Sequence, residues 1–392
     1  LEDDPAMTIP QLSAGRMRRD AADARRYGCS GLMDIHWRTR VIAPNVAALA
    51  QAAWDRDGAP PPTPDPESRD LPCSDFYRDW ARNGFGPEAA EEIAALFTEL
   101  DGGGHPQGKT RQANLPRPAT WVDGPGGILP DNRPWEDVAP EYEFVDRLAA
   151  LRPRVRGKGN RARFEYWLHQ FRYLRAMGEH NCAWGRLEEA LKTVEAAETE
   201  AERRRLARSK ALPLRIRMVE LLTEIHRHLF ATVSTPGELG TVANWQQHIL
   251  LRTHSRRKRP LLSTASQTLT RLLGEELPQA AQLPQEYVGP PRLVIPTART
   301  LAERGAALNI RILMPGIEPE NALLNVRPLG KGPCDPLPVS HVNRSVYETQ
   351  IPRERMQTDI EWYVRVTETD GTVHVWPPTA PEMNHTVVVF SP

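Results

Sequence analysis

The stretch GCSGLMDIHWRTR, residues 28–40, decides how the chain is read. Leu32-Met33-Asp34-Ile35 has the length and character of a short buried strand. It passes without a turn residue into His36, Trp37, Arg38, Thr39 and Arg40. Strands ordinarily end in Gly, Asn, Asp, Ser or Pro. In parallel α/β architectures the loops after the strand C-termini build the binding site. Arg grips carboxylates through paired hydrogen bonds, and Trp offers a flat apolar face with one N–H at its edge. His moves protons near neutrality. His36, Trp37, Arg38 and Arg40 are therefore candidate substrate-binding residues. The plainer alternative is that Trp37 is core and the arginines pair with local acids.

Working outward, residues 11–27 carry Leu12, Met17, Ala21, Ala22 and Ala24 among Arg and Asp, which predicts a helix, with Gly28 as its C-terminal cap. Val46 to Trp54 predicts a second helix, with Pro44 near its first turn. Helix, strand, helix is a piece of an α/β layer, most simply the end of a (β/α) barrel or doubly wound sheet, and it is too small to bury its own core. The chain opens LEDDP without an initiator Met, and both features read as a piece of a longer polypeptide. If the helix over 11–27 joins two parallel strands, Glu2, Asp3 and Asp4 lie on the same rim as His36. Glycoside hydrolysis needs two carboxyls facing one bond. Glu2 and Asp4 are accordingly candidate catalytic groups, against the alternative of an exposed acidic turn.

Residues 58–72 (GAPPPTPDPESRDLP) read as a Pro-rich linker. Helical patterns follow over 74–82, 88–100, 161–177, 184–210, 213–232, 237–249 and 262–275, with an irregular Gly/Pro-rich stretch at 101–136. The pattern predicts a bundle of seven or eight helices. Near residue 286 the period changes to two: Leu308, Ile310, Ile312 and Met314 alternate with polar residues, as do Ile360, Trp362, Val364 and Val366. Asp370-Gly371 marks a hairpin before Val373 to Trp376. Seven or eight short strands in about a hundred residues suggest an immunoglobulin- or fibronectin-like sandwich. The expected domains are 1–57, the C-terminal end of a (β/α) barrel; 58–285, an α-helical domain; and 286–392, a β-sandwich.

The chain has 392 residues, 50 Lys+Arg and 50 Asp+Glu, so its formal charge is zero, which disfavours nucleic acid or an anionic membrane as principal partner. The basic run Arg256 to Arg259 reads as a solvated face. Cys29, Cys73, Cys182 and Cys334 have no zinc-type spacing, and no nucleotide, phosphate-loop or metal motif is visible, so neither cofactor nor metal is expected. In Ser234 to His248, Thr235 and Glu238 fit a capping box, while Asn244 and Trp245 are candidate sugar contacts. Tyr166, Trp167 and Tyr173 fall at core positions of their helix.

LEDDP, RMRRDAADARRYGC, GLMDIHWRTR and PNVAALAQAAW together resemble the last barrel strands of large bacterial glycoside hydrolases, of the alpha-glucuronidase and alpha-N-acetylglucosaminidase kind. PPTAPEMNHTVVVF is similar to the closing strand of an accessory sandwich in such enzymes. The resemblance implies a barrel, then a helical domain leaning over the active-site face, then a sandwich. It implies hydrolysis of O-glycosidic bonds in an oligo- or polysaccharide by carboxylate acid/base chemistry, outside the cytoplasm, with this portion inactive alone. A non-catalytic carbohydrate-binding or scaffolding protein is the alternative.

Overall fold

The computed structural model describes residues 8–36, 40–54, 70–101, 115–120, 127–246 and 262–391. The chain is mixed α and β, about 51% helix and 17% strand. It divides into two compact units, Leu1–His228 with Thr241–Leu283, and Leu229–Gly240 with Pro284–Pro392.

The first unit opens with α1 (Ala14–Arg26) and α2 (Ala43–Trp54). Gly28, at φ +69°, closes α1: its N–H donates to the Arg25 carbonyl and the Cys29 N–H reaches back to Ala24. That pair of bonds is the Schellman arrangement, which needs a residue tolerant of positive φ. Between the helices, residues 29–36 form no strand. Leu32, Met33 and Ile35 are 45, 79 and 63% exposed, which corrects the expected buried strand. A strand needs neighbours for its N–H and C=O groups, and no described residue supplies them here.

Then come α3 (Ser74–Phe85), α4 (Ala90–Leu100), the two-residue strands β1 (Ala119–Thr120) and β2 (Gly127–Ile128), α5 (Trp135–Val138) and α6 (Phe144–Ala150). The 38-residue α7 (Lys158–Glu195) joins what the pattern separates at residue 177. Its Phe164, Trp167 and Phe171 pack with Trp80, Phe85 and Phe97 of α3 and α4, many of the rings edge to face. That geometry suits the aromatic quadrupole and adds to the area buried.

The helix predicted over 184–210 is interrupted instead. After α7 the chain turns, and Thr199 caps α8 (Glu200–Leu206) by accepting from the Glu202 N–H at 3.2 Å. A π-turn at Ala207–Ala211 then leads directly into α9 (Leu212–Ala231). Pro213 does not start a new helix. It has no N–H for the carbonyl one turn back, and the wider turn just before it absorbs the misfit. α10 (Pro236–Trp245) and α11 (Leu262–Leu273) complete the helices.

The second unit carries β3 (Leu301–Glu303), β4 (Leu308–Leu313), β5 (Pro319–Pro328), β6 (Asp335–Pro338), β7 (Ser340–Asn343), β8 (Val346–Ile351), β9 (Ile360–Glu368), β10 (Val373–Trp376) and β11 (His385–Phe390). One sheet runs β3-β11-β9-β5-β6 with β10 also on β9; the other runs β4-β8-β7. β3 pairs parallel with β11, and the remaining pairs are antiparallel. Ile310, Ile312, Leu324, Val326, Trp362, Val364 and Val366 form a common core. The two-residue alternation placed these side chains correctly, because a strand sends every second side chain to one face. The Asp370-Gly371 turn also forms: Gly371 takes φ +85° and Thr372 donates its N–H to Asp370.

Candidate functional site

His36 and Arg40, two of the site candidates, follow the segment that fastens the described N-terminal residues to the helical region. Thr8 to Gly15 are all buried, although the sequence pattern gives this stretch only the start of a helix. The Thr8 hydroxyl is 2.6 Å from the Tyr173 hydroxyl of α7. Ser13, the residue before α1, makes no side-chain cap. Distant residues satisfy the helix start instead. Asp101 accepts from the N–H groups of Ala14 (2.7 Å) and Gly15 (3.2 Å) and from the Tyr77 hydroxyl (2.5 Å), while Asn45 accepts from the Ser13 N–H at 2.9 Å. A carboxylate at a helix N-terminus meets both unsatisfied donors and the positive end of the dipole. Burial nevertheless outweighs these bonds and raises the Asp101 pKa above the usual aspartate value. Burial, and then the nearby Asp101 carboxylate, push the Cys73 thiol up to about 12, so it is no nucleophile. Gly15 is required here, since a Cβ would stand 2.6 Å from the Leu71 carbonyl oxygen.

Of the residues after the apolar run, His36 and Arg40 are exposed. The Arg40 guanidinium lies over the ring of Tyr166, 3.7 Å from its centroid, a cation–π stack. Val41 and Ile42 behind it are buried and fix where Arg40 stands. Tyr166 itself is buried, as its core spacing predicts, and its face is the platform for the cation. Trp37 and Arg38 lie outside the described residues, as do Glu2 and Asp4. A groove of about 660 Å³ between α1 and α2 is lined by Arg18, Arg25, Gln51, Trp54, Leu71 and Asp75 among others. Trp54 is 72% exposed there. Arg18 holds Asp75 with two hydrogen bonds, at 2.5 and 3.0 Å.

Trp245 is not a sugar contact. Its side chain is fully buried and meets the His226 ring edge to face, 4.7 Å between centroids. Asn244 is partly exposed beside it. The indole is apolar enough that the core took it even though α10 ends there. The capping box does form: Glu238 accepts from Thr235 N–H (3.0 Å) and Ser234 N–H (2.7 Å), and Thr235 accepts from the Glu238 N–H at 3.3 Å.

α7 and α9 bury several ionisable groups. His169 and His228 bring their Nδ1 atoms to 3.0 Å. Burial, followed by the charge of His169, holds the His228 pKa down at about 3; burial holds His180 at about 4. Both are neutral at physiological pH. Arg215 is 2% exposed and donates to the Ala281 carbonyl (3.1 Å) and the Ser266 hydroxyl (2.8 Å), and burial lowers its pKa to about 10. No group of three or more His, Cys, Asp or Glu among the described residues is arranged to hold a metal ion. No helix among them is long and apolar enough to cross a membrane.

No family profile and no curated protein matches the chain. A solved structure of an engineered protein is similar over 47% of this chain at 9% identity, with a TM-score of 0.21. The chain spans 46% of that structure, and an overlap so loose carries no argument about fold or activity.

Proposed function

We propose that the chain is the C-terminal portion of a polysaccharide-degrading glycoside hydrolase, acting on a uronate-bearing glycan outside the cytoplasm. In this reading residues 1–57 are the C-terminal end of a (β/α) barrel, with α1 and α2 as its last helices. The exposed Leu32, Met33 and Ile35 are the side chains that neighbouring strands would cover. One observation carries the reading: Arg40, at the far end of that segment, is stacked on Tyr166 of α7. A helix of the all-α region thus backs the end of the segment where barrel enzymes bind substrate. Stacking on Tyr166 holds the guanidinium plane, which lowers the entropy lost when a ligand engages it. His36 would hydrogen-bond a sugar hydroxyl beside it. Trp37 and Arg38 would also bind the substrate, and Glu2 or Asp4 would supply one of the two carboxyls that glycoside hydrolysis needs.

The second unit is, in this reading, an immunoglobulin-like accessory domain. The strand orders β3-β11-β9-β5-β6 and β4-β8-β7, with the first strand parallel to the last, support it. Hydrolysis of uronate-bearing oligosaccharides by the polypeptide of the complete reading frame tests the proposal. Arg40→Ala should lower kcat/KM about 10- to 100-fold, as loss of a charge-assisted hydrogen bond predicts. Binding without turnover would favour the non-catalytic alternative, and neither binding nor turnover on such glycans would end the carbohydrate reading of this site.

A further inference from the structure

A second concavity, of about 290 Å³, lies within the first unit, away from Arg40, and is lined by Arg117, Asp131, Arg133, Glu141, Tyr142 and Asn181 among others. It rests on α7. Gly178 and Gly185 are seven residues apart, two helical turns, and so face the same way. A Cβ at Gly178 would stand 2.4 Å from the Tyr142 hydroxyl oxygen, and one at Gly185 would stand 2.2 Å from the Asp131 carbonyl oxygen. Glycine inside a helix costs about 1 kcal/mol each relative to alanine. Here the two glycines let Tyr142 and the segment around Asp131 lie directly on the helix backbone. Asn181 ties that segment down: its carbonyl accepts from the Asp131 N–H at 2.9 Å, and its amide donates to the Pro118 carbonyl at 2.7 Å.

The polar groups are set in advance. Arg133 donates to both carboxylate oxygens of Asp131 and, through its other arm, to Glu141 at 2.7 Å. The hydrogen bonds from Arg133 lower the Asp131 pKa below the usual aspartate value. Tyr142, 3% exposed overall, lines the concavity, where its hydroxyl can donate to a ligand.

We propose that this concavity binds one neutral sugar ring. The lining carries two guanidinium and two carboxylate groups, Arg117, Arg133, Asp131 and Glu141, so neither an anion nor a cation gains from net charge. Glu141 Oε2, the carboxylate oxygen that Arg133 does not engage, accepts from a ring hydroxyl, and Tyr142 donates to another. Pro116, Pro118, Leu129 and Pro130 supply the apolar wall that the C–H face of a pyranose requires. The volume is at the low end for small-molecule sites, which fits a single ring and excludes a disaccharide lying fully inside. The site shares a ligand class with the function proposed above and rests on none of its residues.

Saturation-transfer NMR on the whole chain, with D-glucose, D-galactose, D-xylose and D-glucuronate as probes, tests this. A neutral sugar should bind in the millimolar range and transfer best from its ring C–H groups. Tyr142→Phe keeps the ring and removes only the hydroxyl, and should weaken binding about five-fold; Glu141→Gln should weaken it as well. Arg40→Ala should leave this binding unchanged, which separates its failure from failure of the uronate site. Preference for glucuronate that persists in Arg40→Ala, binding indifferent to Tyr142→Phe, or no binding of any of the four sugars would overturn the proposal.

Discussion

Asp101→Ala puts the fastening of the N-terminal segment to a quantitative test. The Asp101 carboxylate is 8% exposed and accepts from two backbone N–H groups at the start of α1 and from the fully buried Tyr77 hydroxyl. Alanine leaves three buried donors without a partner. Each such donor costs roughly 1–3 kcal/mol, and loss of the charge at the helix start adds about 0.5 kcal/mol. Removing a buried carboxylate returns part of this, because its raised pKa shows that desolvation works against the ionised form. The net expectation is about 3–5 kcal/mol. The loss should be local first, since Thr8 to Gly15 have their partners in this one region. Hydrogen exchange followed by mass spectrometry on peptides covering 14–26 reads it, with urea unfolding for the magnitude. Protection of α1 within about 1 kcal/mol of the unaltered chain would refute the reasoning. The pH sign is also fixed. A raised folded pKa means that the Asp101 contribution is fully present below the unfolded value of 3.8 and is lost as pH rises through the folded value. Asp101→Asn should abolish that component.

Gly15→Ala drives a methyl group against the Leu71 carbonyl and should destabilise the same region by about 1–3 kcal/mol, measured by urea unfolding. His180 and His228 titrate near 4 and 3 in the folded chain, against 6.5 for an unperturbed histidine. Their depressed values give stability that is full above about 6.5 and falls as pH drops toward 4, so the double variant His180→Asn, His228→Asn should flatten the stability profile in that window; an unchanged slope would assign acid sensitivity elsewhere. Glu238→Ala removes the acceptor of the Ser234 and Thr235 N–H groups and should cost about 1–2 kcal/mol in thermal unfolding. Trp362→Ala, in the fully buried centre of the sandwich core, should cost about 3–5 kcal/mol in the unfolding transition of the second unit.

Local chemistry was legible in the sequence wherever partners are near along the chain. Period-two alternation identified β4 and β9, Asp370-Gly371 the hairpin, Thr235 and Glu238 the capping box, and Gly28 the end of α1. Each depends on backbone geometry within a few residues, and side-chain spacing reports that directly. What only the tertiary structure decided depends on groups far apart in sequence. Asp101 meets Ala14 across 87 positions, and Tyr142 meets Gly178 across the helical region. No local pattern marks an aspartate as the cap of a remote helix or a glycine as room for a distant hydroxyl. Leu32 to Ile35 show the converse. Their apolar character was visible, but a strand exists only where other chain segments take up its hydrogen bonds, and none of the described residues does so. Trp245 reads as a ligand platform because an indole offers a flat apolar face, yet the same face is buried against His226, and packing decided its place.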